Sequence, residues 1–333
     1  MQMADLKSWR KDCTLCPRNC HADRSAGQLG FCRSSDRIRA ARAALHYWEE
    51  PCISGEDGSG AVFFSGCSLG CVYCQNRPIA EGSVGKEISA ERLAEIFLEL
   101  QGQGAWNINL ITAAHFVPQV AESLRTAKSQ GLKIPVVYNS SGYEKVETLK
   151  LLEGLVDIYL PDLKYLDPAL AKRYSSAPDY PQAAKAALAE MVRQAGRPVF
   201  AVRGKEENAP GSGGCGMQET DAPKGAGGEE NLRLLRGVIV RHLVLPGQTE
   251  ASKEVIRYLY ETYGDQIYIS ILNQYTPMPG VGEAYPELGR KLTQEEYDSV
   301  VDYAIETGVE NGFIQEGETA SESFIPAFDI TGI

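Results

Sequence analysis

From about residue 60 onward, the apolar positions of the chain switch repeatedly between two periods. Short runs rich in Val, Ile, Leu, Phe and Tyr stand at 61–64, 107–112, 134–140, 158–164, 198–203, 237–245 and 266–272, and runs of that length and composition predict buried strands. Between them the apolar residues recur at helical spacing. Ser89 stands where it can cap a helix that carries Leu93, Ile96, Phe97 and Leu100 on one face. Helices are predicted over 115–131, 144–154, 181–195, 250–263 and 293–307; Ala184, Leu188, Met191 and Val192 share one face of the third, and Val255, Ile256, Leu259 and Tyr263 one face of the fourth. Strands alternating with helices in this way mean βα units around a parallel sheet. About six units fit, which predicts an α/β fold built as an open, partial (β/α)6 TIM-like barrel. In such folds chemistry belongs at the carboxyl ends of the strands.

Two stretches break the pattern. Residues 1–55 are basic and cysteine-bearing, with no strong periodicity, and form a cysteine-rich N-terminal extension. Residues 204–230 are rich in Gly, Pro and acids and nearly free of large apolar side chains. Such a stretch cannot offset its ordering entropy by burial, so a flexible insertion between two adjacent strands is expected. The expected organisation is a metal-binding segment at 1–55, the barrel at 56–285 and a C-terminal helix and tail at 286–333.

Composition is that of a globular protein, with 43% hydrophobic and 23% charged residues. No run of 18 apolar residues occurs, and the first residues lack the apolar stretch of an export signal, so no membrane association is expected. A net charge of −11 argues against nucleic acid as a partner. Locally the balance reverses, because Lys7, Arg10, Lys11, Arg18, Arg24 and Arg33 surround the first four cysteines.

Nine cysteines in a chain without an export signal point to the reducing cytoplasm and to metal binding or catalysis. Cys67, Cys71 and Cys74 directly follow the first predicted strand, in a C-x3-C-x2-C loop with Gly66 and Gly70. Three thiolates suit three corners of an iron–sulfur cubane whose fourth iron stays open, whereas structural zinc wants four closed ligands. The plainer alternatives are a zinc loop borrowing a distant ligand, or three buried structural thiols. Cys13, Cys16, Cys20 and Cys32 form a second group, whose four thiolates can close a shell around zinc or an auxiliary iron–sulfur cluster. Cys52 lies in a predicted turn, and Cys215 in the insertion.

The triad, with an aromatic residue at Tyr73 before its third cysteine, resembles the hallmark of the radical S-adenosylmethionine (radical SAM) superfamily. The chain is most similar to the pyruvate formate-lyase activating enzyme-related branch of that superfamily. The likeness is carried by CTLCPRNC (13–20), EEPCISG (49–55), FFSGCSLGCVYCQN (63–76), NINLITAAHFVPQ (107–119), YLPDLKY (159–165), VRHLVLPG (240–247) and NQYTP (273–277). It implies a barrel of the radical SAM type, a 4Fe-4S cluster on Cys67, Cys71 and Cys74, and S-adenosylmethionine as cofactor. The implied chemistry is reductive cleavage of that cofactor to a 5′-deoxyadenosyl radical that abstracts hydrogen from a target. Activases of this kind hold the methionine end of the cofactor with polar groups at the strand tips, which here are Asn139, Ser140, Asp162 and Lys164. Arg241 holds the corresponding place in the next long strand, and Gln274 and Tyr275 are adenine neighbours by position. The Gly-Gly-Glu usual at the end of the second strand is replaced by Thr112-Ala113-Ala114-His115, which makes His115 the candidate to receive the cofactor's amino group.

The resemblance implies an electron donor of the flavodoxin or ferredoxin type and a glycyl-radical enzyme as protein substrate. Radical modification of a small molecule or another protein is the alternative. A non-catalytic iron–sulfur or zinc carrier would have no use for Asn139, Asp162 and Lys164 at the strand ends.

Overall fold

The computed structural model describes residues 8–203, 217–220, 232–315 and 326–333. Eleven strands are formed among them: β1 (Ile38–His46), β2 (Ser59–Phe64), β3 (Lys86–Ile88), β4 (Ile108–Ile111), β5 (Val136–Ser140), β6 (Ile158–Pro161), β7 (Val199–Arg203), β8 (Met217–Thr220), β9 (Leu232–Leu243), β10 (Tyr268–Leu272) and β11 (Gly312–Ile314). Nine of them follow the order β11-β10-β9-β6-β5-β4-β2-β1-β3, and β7 and β8 lie off this path. The seven strands from β2 to β11 pair in parallel. The fold is the expected α/β type, a partial TIM-like barrel.

Strands β4, β5 and β6 are buried along their whole length, as parallel strands covered on both faces must be. The helix Ala90–Gly102 begins where Ser89 accepts a hydrogen bond from the Arg92 amide and buries Leu93, Ile96, Phe97 and Leu100. Helices Val117–Ser129, Tyr180–Ala195, Thr249–Tyr263 and Gln294–Thr307 cover the rest of the outer face.

Inside the barrel, alternate residues build two layers. Val137, Ile158, Leu160 and Ile239 pack with Phe200, Tyr268 and with Cys52 and Ile53 of the helical turn Pro51–Ser54. That apolar plug accounts for Cys52, whose thiol is pushed up by burial. Two residues further along the same strands stand Asn139, Asp162 and Arg241, all on the wall of one cavity.

Several elements differ from the sequence reading. The run at 198–203 is a strand, β7, but it pairs antiparallel with the first part of β9 and with β8 instead of joining the barrel. Its place in the parallel series falls to β11. Strand β1 lies within the extension and pairs antiparallel with β2 and β3, so the sheet reaches into residues 1–55. Residues 204–216 and 221–230 of the insertion, with Cys215, lie outside the described residues, whereas Met217–Thr220 form β8. The tail runs along the free edge of β1: the Ala43 amide donates to the Thr331 carbonyl at 2.8 Å, and the Ile330 amide to the Ala41 carbonyl at 3.0 Å. No helix among the described residues is long and apolar enough to cross a membrane.

Candidate functional site

The Cys67–Cys74 loop leaves the carboxyl end of β2. Gly66 opens it at φ +93°, and a Cβ there would run into the Cys32 carbonyl, so the position requires glycine. The loop is tied down on the far side by the Val72 amide, which donates to the Tyr174 carbonyl at 2.9 Å. The Ser175 hydroxyl donates to the Cys71 sulfur at 3.1 Å. The Tyr73 hydroxyl lies 2.6 Å from that of Tyr165, and Gln75 donates to the Gln274 carbonyl at 2.5 Å.

All three cysteines line a cavity of about 280 Å³ at the barrel mouth. Burial pushes the thiol of Cys71 up and that of Cys74 to about 12. The same cavity is lined by a connected set of charges. Lys164 Nζ lies 2.7 Å from Asp162 Oδ2, and Arg241 Nε donates to Asp162 Oδ1 at 3.2 Å. Arg241 also donates to Glu49 Oε2 at 3.0 Å and to Asn139 Oδ1 at 2.5 Å. Asn109 donates to the other Glu49 oxygen at 3.0 Å. Burial raises the Asp162 carboxyl, but the Lys164 and Arg241 charges outweigh it and hold it below its ordinary value. Two cations facing two carboxylates leave the wall neutral overall, which suits a ligand end carrying one ammonium and one carboxylate.

The structure places Tyr73, Asn139, Asp162, Lys164, Arg241 and Gln274 on this cavity wall. It does not bring three other candidates, Ser140, His115 and Tyr275, there. Ser140 faces away, as pleating demands of a residue next to Asn139, and its hydroxyl donates to Glu144 at 2.6 Å. His115 is buried behind the loop, with Nε2 2.8 Å from the Ser65 carbonyl, and burial depresses it to about 3. It therefore belongs to the packing of the loop and cannot meet a cofactor's amino group from there. Tyr275 is buried with its hydroxyl donating to the Leu288 carbonyl at 2.5 Å. The sequence reading missed Glu49 and Asn109. Glu49 stood in the quoted EEPCISG segment, but its partner Arg241 lies 192 residues away.

Cys13, Cys16 and Cys32 are buried and Cys20 is exposed. A Cβ on Gly30 would lie 3.1 Å from the Cys20 sulfur and 3.4 Å from that of Cys32, so these two sulfurs converge on one spot. Asn19, His21 and Arg33, which flank Cys20 and Cys32, hold left-handed backbone at φ +44°, +54° and +58°. Burial pushes the Cys16 thiol up to about 12. Neither cysteine group closes into a cage: among the described residues no three Cys, His, Asp or Glu side chains stand as a ready metal site.

Residues 61–208 match the Radical SAM superfamily. This segment is a radical SAM domain. It spans β2, the cysteine loop and β4 to β7. A protein of Methanocaldococcus jannaschii, the uncharacterized protein MJ0674, is 26% identical over 301 residues, covering 88% of this chain and 74% of the relative. Among solved structures, Streptococcus suis SuiB bound to its precursor peptide SuiA shows 13% identity and a TM-score of 0.46 over 75% of this chain. SuiB bound to S-adenosylmethionine shows 14% identity and a TM-score of 0.46. The chain spans 46% and 48% of those solved chains, about half their length.

A radical SAM domain carries a 4Fe-4S cluster and uses S-adenosylmethionine, and the residues present fit both. Three soft thiolate donors border one cavity, the set an iron–sulfur cluster with one open iron needs. Ligation by metal removes the thiol protons that burial otherwise retains. The neutral charge wall lines the same cavity as the thiols.

Proposed function

We propose that this chain is a radical SAM enzyme whose Cys67, Cys71 and Cys74 hold the cluster and whose strand-end charges seat the methionine end of S-adenosylmethionine. The observation that carries the proposal is the sharing of one cavity by the cysteine triad and the Glu49–Arg241–Asp162–Lys164 set. Lys164 and Arg241 would receive the cofactor's carboxylate, and Asp162 and Glu49 its ammonium, with Asn139 holding Arg241 in place. Tyr73 and Gln274 complete the wall. When bound, the two groups supply one-electron reduction and a hydrogen-abstracting 5′-deoxyadenosyl radical. The protein's part is to orient the cofactor and keep water from the reacting carbon.

The target proposed is a glycine of a partner protein, as for an activase. What supports a polypeptide target is the rim: His46 and Trp48, from the end of β1, border the same cavity, and Trp48 is 60% exposed. An electron donor of the flavodoxin or ferredoxin type would reduce the cluster. For the four N-terminal cysteines the reading is a closed metal site, zinc or a second cluster, that helps fold the basic segment.

The test is anaerobic reconstitution with iron, sulfide, reductant and S-adenosylmethionine, with 5′-deoxyadenosine quantified. The parent should form it, and the Cys67→Ala/Cys71→Ala/Cys74→Ala variant should not. Equal production by both would overturn the proposal.

A further inference from the structure

Arg18 lies between Cys16 and Cys20, outside the cavity and the charge wall. Its guanidinium reaches across to the cysteine loop. Nε donates to the Ser68 carbonyl at 2.9 Å, and Nη2 to the Leu69 carbonyl at 2.9 Å. Nη2 also donates to the Ser175 carbonyl at 2.8 Å, and Nη1 to the Ser176 carbonyl at 2.5 Å. The guanidinium carbon lies 3.9 Å from the centroid of the Phe31 ring and 5.2 Å from that of Tyr143.

The four acceptors have distinct origins. Ser68 and Leu69 stand inside the Cys67–Cys71 turn. Ser175 and Ser176 close the helix Pro168–Ser175, whose last carbonyls lack partners within the helix and carry its negative end. The same helix end donates to the Cys71 sulfur and accepts from the Val72 amide. One planar fork from the N-terminal segment thus joins both walls that hold the loop. Only arginine offers donors enough, in fixed geometry, to serve four carbonyls at once; a lysine ammonium has three.

From this geometry we infer that Arg18 is a positioning residue for the cluster loop. It fixes the path from Cys67 to Cys71, and its charge sets how readily the cluster is reduced. The inference rests on the cluster assignment proposed above. A cation beside a cluster favours the reduced form, which carries one more negative charge. The brace also gives the N-terminal segment work in the domain beyond any metal of its own.

Full-length parent, Arg18→Gln and Arg18→Lys would be compared in two states. In the protein without iron, hydrogen exchange at the Val72 amide should quicken at least tenfold in Arg18→Gln, and by a similar factor in Arg18→Lys. In the reconstituted protein, redox titration followed by electron paramagnetic resonance should show the ratio of reduced to oxidised cluster falling about tenfold in Arg18→Gln at fixed potential, which is about 59 mV for a one-electron couple. Arg18→Lys should keep the parent's ratio within about threefold, because it keeps the charge, yet broaden the resonance because it loses the fork. A variant too unstable to purify is replaced by Phe31→Leu, which removes the ring beside the guanidinium and should broaden the resonance at an unchanged ratio. Unchanged exchange in the iron-free variants overturns the brace. An unchanged ratio in Arg18→Gln overturns the electrostatic role. Faster exchange in a parent–variant pair that takes up no iron would leave the brace standing and remove the cluster assignment instead.

Discussion

Replacing Arg241 by methionine keeps most of the side-chain length and removes the charge that joins the cavity wall. Three acceptors lose their donor: Glu49 at 3.0 Å, Asp162 at 3.2 Å and Asn139 at 2.5 Å. Asp162 keeps Lys164, but the Glu49 side chain, only 6% exposed, keeps no cation and retains amide donors alone. Breaking a buried ion pair by removing one partner costs about 3–5 kcal/mol, because the remaining charge stays buried. For a chain of this size that corresponds to a fall in melting temperature of roughly 4–7 °C. Burial already pushes the Glu49 carboxyl upward against the pull of Arg241 and Asn109, and loss of the guanidinium raises it further. The folded variant then binds a proton on Glu49 that the unfolded chain, with a carboxyl near pH 4.3, has released. Its stability must therefore fall as pH rises above about 4.3. The deficit should be larger at pH 8 than at pH 5. Adding Glu49→Gln removes the stranded charge and should recover about 1–3 kcal/mol in a double-mutant cycle. Scanning calorimetry on the protein without iron measures all of this. A deficit below about 1 kcal/mol at pH 8, or a double variant no more stable than Arg241→Met, would refute the reasoning.

Three further outcomes are expected. Lys164→Ala removes a charge-assisted contact of about 2 kcal/mol, so S-adenosylmethionine affinity by calorimetric titration should fall about thirtyfold while iron content stays normal. His242 is buried with Nδ1 2.7 Å from the Leu163 carbonyl, and burial depresses it to about 4. Its folded value lies below the unfolded one near 6.5, so its contribution is complete above that pH and is lost as pH falls toward 4, at about 1.4 kcal/mol per unit; His242→Gln should flatten the parent's loss of melting temperature between pH 6.5 and 5. Cys13→Ser/Cys16→Ser should lower metal content by elemental analysis and loosen residues 8–37 to proteolysis, with 5′-deoxyadenosine formation largely retained; full metal content in that variant would remove the N-terminal site.

The cysteine loop was legible because its signal is local: spacing, two glycines and a preceding apolar run suffice. Strands β4, β5 and β6 were legible because full burial leaves continuous apolar sequence. Strand β1 was hidden by its composition, four alanines with two arginines and a histidine, which pack well between β2 and the tail but show no hydrophobic period. The run at β7 reads like its neighbours, since an apolar run does not encode strand direction, and β11 is three residues long. The pleat itself could have separated Asn139 from Ser140, because neighbours on a strand face opposite sides. Glu49 and Arg18 could not be found this way. Both act through partners more than 50 positions distant or on several separate segments, and only the closed fold brings those together.

Strand β9 belongs to two structures at once. Residues Leu232–Arg236 pair with β7 in the antiparallel ribbon, and from Gly237 onward the same strand lies between β6 and β10. The crossover point is tight, with Gly237 at φ +141°, where a Cβ would lie 2.9 Å from the Pro198 α-carbon. Arg241 follows four residues later, about 13 Å along a strand that can bend but not stretch. The ribbon and the charged wall are thus two ends of one continuous strand, and from Gly237 onward the ladders to β6 and β10 hold that strand, and with it the backbone of Arg241, in register.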